Sequence, residues 1–285
     1  MTLHPSADAS DLATQLGELR RLVCSMESVV VCFSGGIDSA LLLVVAHQEL
    51  GAQAVGLTAV SPSLPQKERE AAAQFSRQWG VRHHWVESNE MARSGYRENG
   101  PDRCFHCKTE LYTIARSFQA ERGLKAIVNG TNRDDLGDYR PGLIAADKAG
   151  IRSPFVELGM GKSDVRALAQ ALGLSIWNKP AAACLSSRLP YGVAVTKARL
   201  AQVESLENAL RELGFEQVRV RYHHEVARIE VPPEHLIRLA QPGIRERVVE
   251  LGKEAGFQYI TLDLAGYRTG SLNELLSGRA LKVLA

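Results

Sequence analysis

Apolar runs alternate with amphipathic segments through the first two-thirds of the chain. Continuous apolar runs at 29–33 and 54–60 are typical of buried strands. The same patterns predict strands at 81–86 and 126–128, and helices at 11–26, 38–50, 66–79, 109–122 and 165–172. A β-α-β rhythm with continuous apolar strands predicts an α/β fold, in which helices cover both faces of a doubly wound parallel sheet.

The pattern changes after Gly192. A helix is predicted at 197–213, and two strands with alternating polarity at 217–222 and 226–231. A long helix from Pro232 to about Ala255 and a strand at 259–264 complete the pattern. We therefore predict two domains: an α/β domain at 1–192 and a second, smaller α+β domain at 193–285.

Composition places the chain among ordinary globular proteins. Hydrophobic residues make up 45% and charged residues 23% of its 285 residues, which excludes a disordered chain, a fibre and a coiled coil. The net charge is +2 and is not segregated, so we expect no nucleic-acid partner. No apolar run approaches the roughly 18 residues of a membrane span, and the first residues lack the apolar core of a signal peptide. We therefore expect no membrane partner and a cytoplasmic location.

A glycine-rich hexapeptide, 34–39, stands between the first strand and the helix after it. Gly35 and Gly36 let the backbone approach an anion closely, and Ser34 and Ser39 add hydroxyl donors. The following helix offers free N–H groups and the positive end of its dipole. A bare phosphate would repel Asp38, so this residue indicates either a bridging Mg²⁺ or a helix cap. The hexapeptide is thus predicted to bind the phosphates of a nucleotide.

Cys104 and Cys107 are spaced as a CxxC pair, and Cys184 stands far from them in sequence. Three kinds of site remain open from this pattern: a zinc site with His106 as fourth ligand, a redox dithiol, or an iron–sulfur cluster. Lys108, which follows the pair, favours thiolates. A metal or cluster site is favoured over unlinked thiols.

The other two cysteines and the two histidine pairs are not expected to bind a metal ion. Cys24 and Cys32 are expected to be small buried hydrophobic residues rather than ligands. The pairs His83-His84 and His223-His224 lack ligand-spaced partners, so exposed or edge positions are expected for them.

The hexapeptide resembles the PP-loop of the N-type ATP pyrophosphatases, which adenylate a substrate and release pyrophosphate. Three further segments, at 129–142, 177–192 and 264–274, resemble the LarE family of ATP-dependent sulfur transferases. These enzymes help to build the nickel-pincer cofactor of lactate racemase. The resemblance extends over nearly the whole chain, from about residue 11 to residue 285.

The resemblance implies a specific reaction. The substrate would be pyridinium-3,5-biscarboxylate mononucleotide, and ATP would adenylate one of its ring carboxylates. A thiolate matching Cys184 would attack the acyl adenylate and expel AMP, and cleavage of the Cβ–S bond would leave a thiocarboxylate. That cysteine would be sacrificed, so the enzyme would act once per carboxylate.

This sequence resembles the three-cysteine members of the family. In these members, residues matching Cys104, Cys107 and Cys184 would bind a [4Fe–4S] cluster, and a sulfide on its open iron would be the donor. The cofactors implied are ATP, Mg²⁺ and the cluster. Members of the family commonly assemble, so a homo-oligomer is expected, with a small mononucleotide as the partner molecule.

Two arginines are candidates for binding the substrate phosphate. Arg219 and Arg221 lie two residues apart on a predicted strand, so both guanidinium groups are expected on one face. The alternative is a solvated face with salt bridges to Glu207 or Glu230.

Three more side chains have open roles. Arg188 is predicted either to bind a carboxylate or pyrophosphate, or to lie on the surface. Lys162 is predicted either to reach the phosphates or to flank a helix cap. Glu207 is a weaker candidate for a metal or ligand contact.

Three alternatives to a LarE-type enzyme follow from the same motifs. A PP-loop tRNA thiolase would use the loop and the cysteines, and an NAD synthetase-like ligase would use the loop without Cys184. A non-catalytic adenine-nucleotide sensor would bind ATP without cleaving it.

Overall fold

The computed structural model describes residues 9–137, 141–180 and 183–268. The chain forms two compact units. The first contains Met1–Tyr96 and Asp102–Ala182, and the second contains Arg97–Pro101 and Ala183–Ala285.

The first unit is built on a parallel sheet of four strands in the order β3-β2-β1-β4. The strands are β1 (Val29–Cys32), β2 (Ala54–Val60), β3 (Arg82–Glu87) and β4 (Ala126–Val128). The helices are α1 (Ala9–Cys24), α2 (Ile37–Leu50), α3 (Gln66–Trp79), α4 (Ser94–Arg97), α5 (Arg103–Arg122), α6 (Pro141–Lys148), α7 (Pro154–Glu157) and α8 (Lys162–Ala171).

Both faces of the inner strand β1 are buried. Successive side chains of a strand point to opposite faces, and β1 shows this directly. Val29 and Val31 pack into a core shared with α1, α2 and α8, whereas Val30 and Cys32 pack into a second core shared with α5 and α6. The predicted α/β doubly wound fold is confirmed.

The carboxyl ends of these parallel strands lie along one edge of the sheet, where ligands of open α/β sheets bind. The loop at 34–39 follows β1, and Asn129 follows β4, the neighbour of β1. The hexapeptide is thus placed where the fold favours a ligand.

The second unit contains a sheet of three strands in the order β5-β6-β7. Its elements are α9 (Lys197–Glu212), β5 (Arg219–His223), β6 (Val226–Glu230), α10 (Leu236–Ala240), α11 (Ile244–Glu254) and β7 (Tyr259–Leu262). β5 and β6 form an antiparallel hairpin whose turn includes His224 at φ 57°, and β7 runs parallel to β6.

Two helix predictions differ from the structure. The single helix predicted at 232–255 is divided into α10 and α11, because Pro242 cannot continue a helix and Gly243 adopts φ 80°. Helix α5 begins at Arg103, six residues before the predicted start at Thr109. The CxxC pair therefore lies on the first turns of a helix rather than in the loop before it.

The observed division into units differs from the predicted domain boundary at residue 192. The segments 97–101 and 183–192 were predicted to belong to the first domain. Both segments belong to the second unit. The Asn99 side-chain amide donates to the carbonyls of Leu189, Pro190 and Val193 at 3.3, 2.8 and 3.0 Å. Asn99 is fully buried, so these hydrogen bonds join the two segments inside that unit.

Candidate active site

The phosphate loop, residues 34–39, is organised by its own serines. The Ser39 hydroxyl donates to the Gly36 carbonyl at 3.0 Å and accepts the Ser34 backbone N–H at 3.1 Å. Gly35 adopts φ 74°, a conformation that side-chain-bearing residues rarely take. The first N–H groups of α2 have no acceptor within the helix, so the loop presents donors to an anion.

Gly130 allows the end of β4 to pass directly against this loop. A Cβ atom added at Gly130 would lie 2.6 Å from the Ser39 backbone nitrogen and 2.8 Å from the Asp38 carbonyl carbon. Both contacts are with backbone atoms, so no side chain can move aside to make room. A glycine is therefore required at 130 for the loop to keep this shape.

Asp38 is held by two donors from the same unit. Lys162 Nζ lies 2.5 Å from one carboxylate oxygen of Asp38, and the Asn132 amide donates to the other at 3.0 Å. The Lys162 backbone N–H donates to Asp134 at 2.8 Å. Lys162 therefore begins α8 and reaches the loop through its side chain, and its contact with phosphates stays a prediction.

Lys179 contacts the phosphate loop, although no motif predicted this contact. Its Nζ lies 2.6 Å from a Glu68 carboxylate oxygen and 3.2 Å from the Gly35 carbonyl oxygen. No spacing rule relates it to the loop, since 144 residues separate Lys179 from Gly35. Its only sequence signal was its position in the 177–192 segment that resembles LarE. Two lysines thus stand beside the phosphate loop, each paired with a carboxylate.

A hydrogen-bonded histidine connects the loop to the sheet edge. Thr58 Oγ1 donates to the carbonyl of Phe33, which precedes the loop, and lies 2.8 Å from His83 Nε2. His83 Nδ1 lies 3.0 Å from Ser76 Oγ. Burial, and then the neighbouring His84, lower the pKa of His83 to about 4, so its imidazole is neutral near pH 7. His83 was predicted to be exposed or at an edge; it lies on edge strand β3, but both ring nitrogens have partners.

The CxxC pair lies at the start of α5. Cys104 is exposed and Cys107 is partly exposed. Residues three apart on a helix share a face, so both thiols are presented on one side. His106 Nε2 lies 3.1 Å from Asp102, and a Cβ atom at Gly95 would overlap the His106 ring. Among the described residues, no group of three or more His, Cys, Asp or Glu side chains is arranged to hold a metal ion.

Lys108 places a positive charge beside these thiols. Burial alone would lower its pKa, but Tyr112, Cys107, Cys32 and Cys104 together outweigh burial and raise the pKa of Lys108. A charged ammonium group near thiol groups favours anionic sulfur, either as thiolate or as a thiolate-bound cluster.

Cys24 and Cys32, the two cysteines outside the predicted cluster, differ from each other. Cys32 is buried in β1, and burial raises the pKa of its thiol to about 12, so it is an unreactive core residue, as expected. Cys24 is exposed, and its thiol donates to Glu49 at 3.4 Å. The expectation of burial is therefore wrong for Cys24, because this residue ends α1 on its solvent side.

In the second unit, Cys184 begins a short 3₁₀ turn and is exposed. We call residues 183–188 the Cys184 turn. Arg188, in the same turn, is only 1% exposed. Its Nη1 lies 2.8 Å from the Ala183 carbonyl oxygen and 3.1 Å from the Cys184 carbonyl oxygen. The prediction that Arg188 lies on the surface is therefore wrong.

Glu207 is the partner of Arg188. The carboxylate, fully buried on α9, accepts from Arg188 Nε at 2.8 Å and Nη2 at 3.0 Å. It also accepts from Arg211 at 2.7 Å and from the Val220 backbone N–H at 3.0 Å. Burial alone would raise the pKa of Glu207, but Arg188 and then Arg211 and the Val220 N–H lower it overall. Both oxygens are occupied by protein donors, so the weaker prediction of a metal or ligand contact finds no support.

Arg219 and Arg221 have different surroundings. Arg221 is buried and binds Glu230 through Nε at 3.0 Å and Nη2 at 2.8 Å. Arg219 is partly exposed, and its guanidinium carbon lies 5.6 Å from the centre of the Tyr267 ring. Burial, and then the nearby positive charge of Arg188, lower the pKa of Arg219. Of the two predicted phosphate ligands, Arg219 is the more accessible.

Comparison with known proteins decides the family. The asparagine synthase family model matches residues 19–96, which include the phosphate loop. The chain is 38% identical over 275 residues to the pyridinium-3,5-bisthiocarboxylic acid mononucleotide synthase of Lactiplantibacillus plantarum, covering 96% of this chain and 99% of that protein. The chain belongs to the LarE family.

Two uncharacterized proteins are also similar to this LarE-family chain. One, from Synechocystis, is 44% identical over 267 residues, covering 93% of this chain and 99% of the relative. The other, from Methanocaldococcus jannaschii, is 26% identical over 243 residues, covering 85% of this chain and 92% of the relative. PP-loop membership is consistent with ATP use, and the family prediction made from the motifs is confirmed.

Parts of all three segments that carried the resemblance lie outside the described residues, namely 138–140, 181–182 and 269–274. Within the described ranges, no helix is both long and apolar enough to cross a lipid bilayer.

Proposed function

We propose that this LarE-family chain is an ATP-dependent sulfur transferase that converts pyridinium-3,5-biscarboxylate mononucleotide to its thiocarboxylate, for the nickel-pincer cofactor of lactate racemase. The observation that carries the proposal is the 38% identity to the named synthase over nearly the full length of both chains. The phosphate loop and the exposed thiol of Cys184 supply the two chemical requirements, nucleotide binding and a nucleophile.

Activation of the carboxylate depends on the first unit. The N–H groups of the phosphate loop bind the β- and γ-phosphates of ATP. Lys162 and Lys179, which are paired with Asp38 and Glu68 in this structure, bind phosphate oxygens in place of these carboxylates. Asp38, half-buried at the loop, is an oxygen ligand of the type that Mg²⁺ takes alongside phosphates. The substrate carboxylate attacks the α-phosphate of ATP, pyrophosphate leaves, and an acyl adenylate remains.

Sulfur transfer depends on Cys184. In the sacrificial route, its thiolate attacks the acyl carbon and expels AMP, which leaves a thioester. Loss of the Cα proton then breaks the Cβ–S bond, the thiocarboxylate departs with the bonding electrons, and dehydroalanine remains at position 184. An acyl phosphate anhydride is a good electrophile, and thiolate is a strong nucleophile near neutral pH.

The second route would use Cys104, Cys107 and Cys184 as ligands of a [4Fe–4S] cluster, with Mg²⁺ and ATP as before. The accessible CxxC thiols and the Lys108 charge suit an anionic cluster. Such a cluster would supply sulfide from its open iron. We favour this route for a chain with three such cysteines. The substrate phosphate is assigned to Arg219 and Arg221, of which Arg219 is better placed to contact a solute.

The test is a single-turnover reaction with anaerobically purified protein, ATP, Mg²⁺ and the biscarboxylate mononucleotide. We expect pyrophosphate, AMP and a product in which sulfur replaces one carboxylate oxygen, detected by mass spectrometry. Iron and sulfide analysis, together with the mass of the peptide that carries Cys184, separates the routes. Pyrophosphate without thiocarboxylate, or neither product, would rule out the proposal.

A further inference from the structure

Two buried ion pairs, Arg188–Glu207 and Arg221–Glu230, lie beneath the Cys184 turn, and the reaction above assigns no role to Arg188 or Glu207. We propose that Arg188, fixed by Glu207, is a positioning residue that holds the backbone of Cys184 so that its sulfur is presented in one orientation. The inference rests on the proposed function, because it takes Cys184 as the nucleophile of the sacrificial route or as a cluster ligand of the favoured route.

The geometry of Arg188 explains how one side chain can do this. Glu207 engages the Nε and Nη2 edge of the guanidinium at 2.8 and 3.0 Å, a bidentate arrangement that fixes the plane of the group. The remaining nitrogen, Nη1, then points at the carbonyls of Ala183 and Cys184. The Val220 N–H ties Glu207 to β5, and Arg211 adds a contact from within the same helix. The position of the Cys184 peptide is thereby tied to α9 and β5.

A second pair holds the other end of the turn. Arg221 donates from Nη1 to the Ser187 carbonyl at 2.9 Å while Glu230 engages its Nε and Nη2. The Ser187 hydroxyl donates to the Cys184 carbonyl at 2.8 Å. Carbonyls at both ends of this short turn therefore accept from buried arginines, while the Cys184 side chain remains exposed.

Stability alone does not account for this arrangement. Taking two ions out of water is costly, and well-packed apolar residues often stabilise a core as well as a buried ion pair does. Apolar side chains, however, cannot donate hydrogen bonds to the Ala183 and Ser187 carbonyls, which accept from Arg188 and Arg221; the Cys184 carbonyl also accepts the Ser187 backbone N–H at 3.0 Å. These ion pairs fix the turn beneath the exposed Cys184 thiol, which an apolar core would not do.

The experiment compares two variants that each remove one cation from Glu207. Arg188 contacts the carbonyls of the Cys184 turn, whereas Arg211 contacts Glu207 from the same helix and makes its other hydrogen bond to Asn208. Arg211→Met is therefore the matched control for Arg188→Met. Single-turnover pyrophosphate release, thiocarboxylate formation, and hydrogen exchange of the peptide at 183–189 are measured for both.

We expect Arg188→Met to slow thiocarboxylate formation about 10²-fold, the size of effect that misplacement of a reacting group produces. Pyrophosphate release should stay near the parent rate, and exchange in the 183–189 peptide should accelerate. Arg211→Met should leave transfer and exchange near the parent. If Arg188→Met does not fold, the double variant R188M/E207L, which leaves no unpaired charge from this pair, is measured in its place and has the same expected result.

Three results would overturn the inference. These are equal slowing by both single variants, loss of pyrophosphate release together with transfer, or unchanged exchange and transfer when the Arg188 donor is removed. If the parent makes no thiocarboxylate, the proposed function fails, and the exchange measurement alone then decides whether Arg188 fixes the turn.

Discussion

The phosphate loop and the Cys184 turn present their functional groups in different ways. The loop is made from consecutive residues, with two serines bonded to the backbone of the same hexapeptide. The turn is fixed by side chains distant in sequence, since Glu207 lies 19 residues from Arg188, and Arg221 lies 34 residues from Ser187. A site made of local backbone is specified by a motif, whereas a site held by distant charges is specified by the fold.

The largest effect is expected at the thiol itself. Cys184→Ser should lower thiocarboxylate formation by about 10³-fold or more, because a serine hydroxyl is a far weaker nucleophile than thiolate and would not replace it as a cluster ligand. Single-turnover pyrophosphate release should persist, since the phosphate loop is unchanged. Cys24→Ser is the control for an exposed cysteine outside the proposed chemistry, and it should leave both steps unchanged. Retained thiocarboxylate formation in Cys184→Ser would contradict the assigned role.

The next effect concerns the stability of the scaffold below the turn. Glu207→Ala leaves Arg188 buried without its carboxylate, which should lower the free energy of unfolding by about 3–5 kcal/mol in urea titrations. Glu250→Ala removes an exposed pair with Arg247 and should leave stability unchanged within error. Similar losses of unfolding free energy in both variants would mean that the buried pair stabilises the chain no more than the exposed pair does.

A smaller effect tests the loop. Gly130→Ala places a methyl group against the backbone of Ser39, so we expect a loss of about 1–3 kcal/mol in stability and weaker ATP binding. Gly137→Ala adds the same atom with no described residue within 4 Å of it and should change neither quantity. Isothermal titration with ATP and thermal unfolding measure both. Equal ATP affinity in the two variants would show that the loop tolerates displacement.

The smallest effect is a pH dependence. The pKa of His83 in the folded chain, about 4, is below its ordinary value of 6.5, so the unfolded chain binds more protons between these values. Stability should therefore fall as the pH drops from about 6.5 towards 4, and it should fall less in His83→Gln. Thermal unfolding at pH 6.5 and at about pH 5 measures the difference. Parallel curves for parent and variant would contradict the lowered pKa.

These differences explain which features could be predicted from the sequence. The sheet, the phosphate loop and the family follow from local patterns, namely apolar runs, a glycine-rich turn and contiguous motifs. The early start of α5 also had a local signal, because Pro101-Asp102 is a typical helix-start sequence. The break at Pro242-Gly243 was equally visible, and a predicted helix that runs through such a pair should be divided.

Other features had no local signal. Burial of Arg188 depends on a carboxylate supplied by another helix, and charged residues are usually assigned to the surface from sequence. Lys179 reaches the loop only because the fold returns the chain to it. Whether Arg219 and Arg221 bind the substrate phosphate stays a prediction, as does the cluster at Cys104, Cys107 and Cys184.

The segment at 97–101 has a consequence for dissecting the molecule. Because it is part of the second unit although it lies inside the sequence of the first, a single cut after residue 182 would yield two incomplete pieces. The shorter piece would keep the carbonyls of Leu189, Pro190 and Val193 but lack the Asn99 amide that binds all three. A gene fragment for the Cys184-bearing unit would therefore have to encode this five-residue stretch as well, for example joined to residue 183 by a linker.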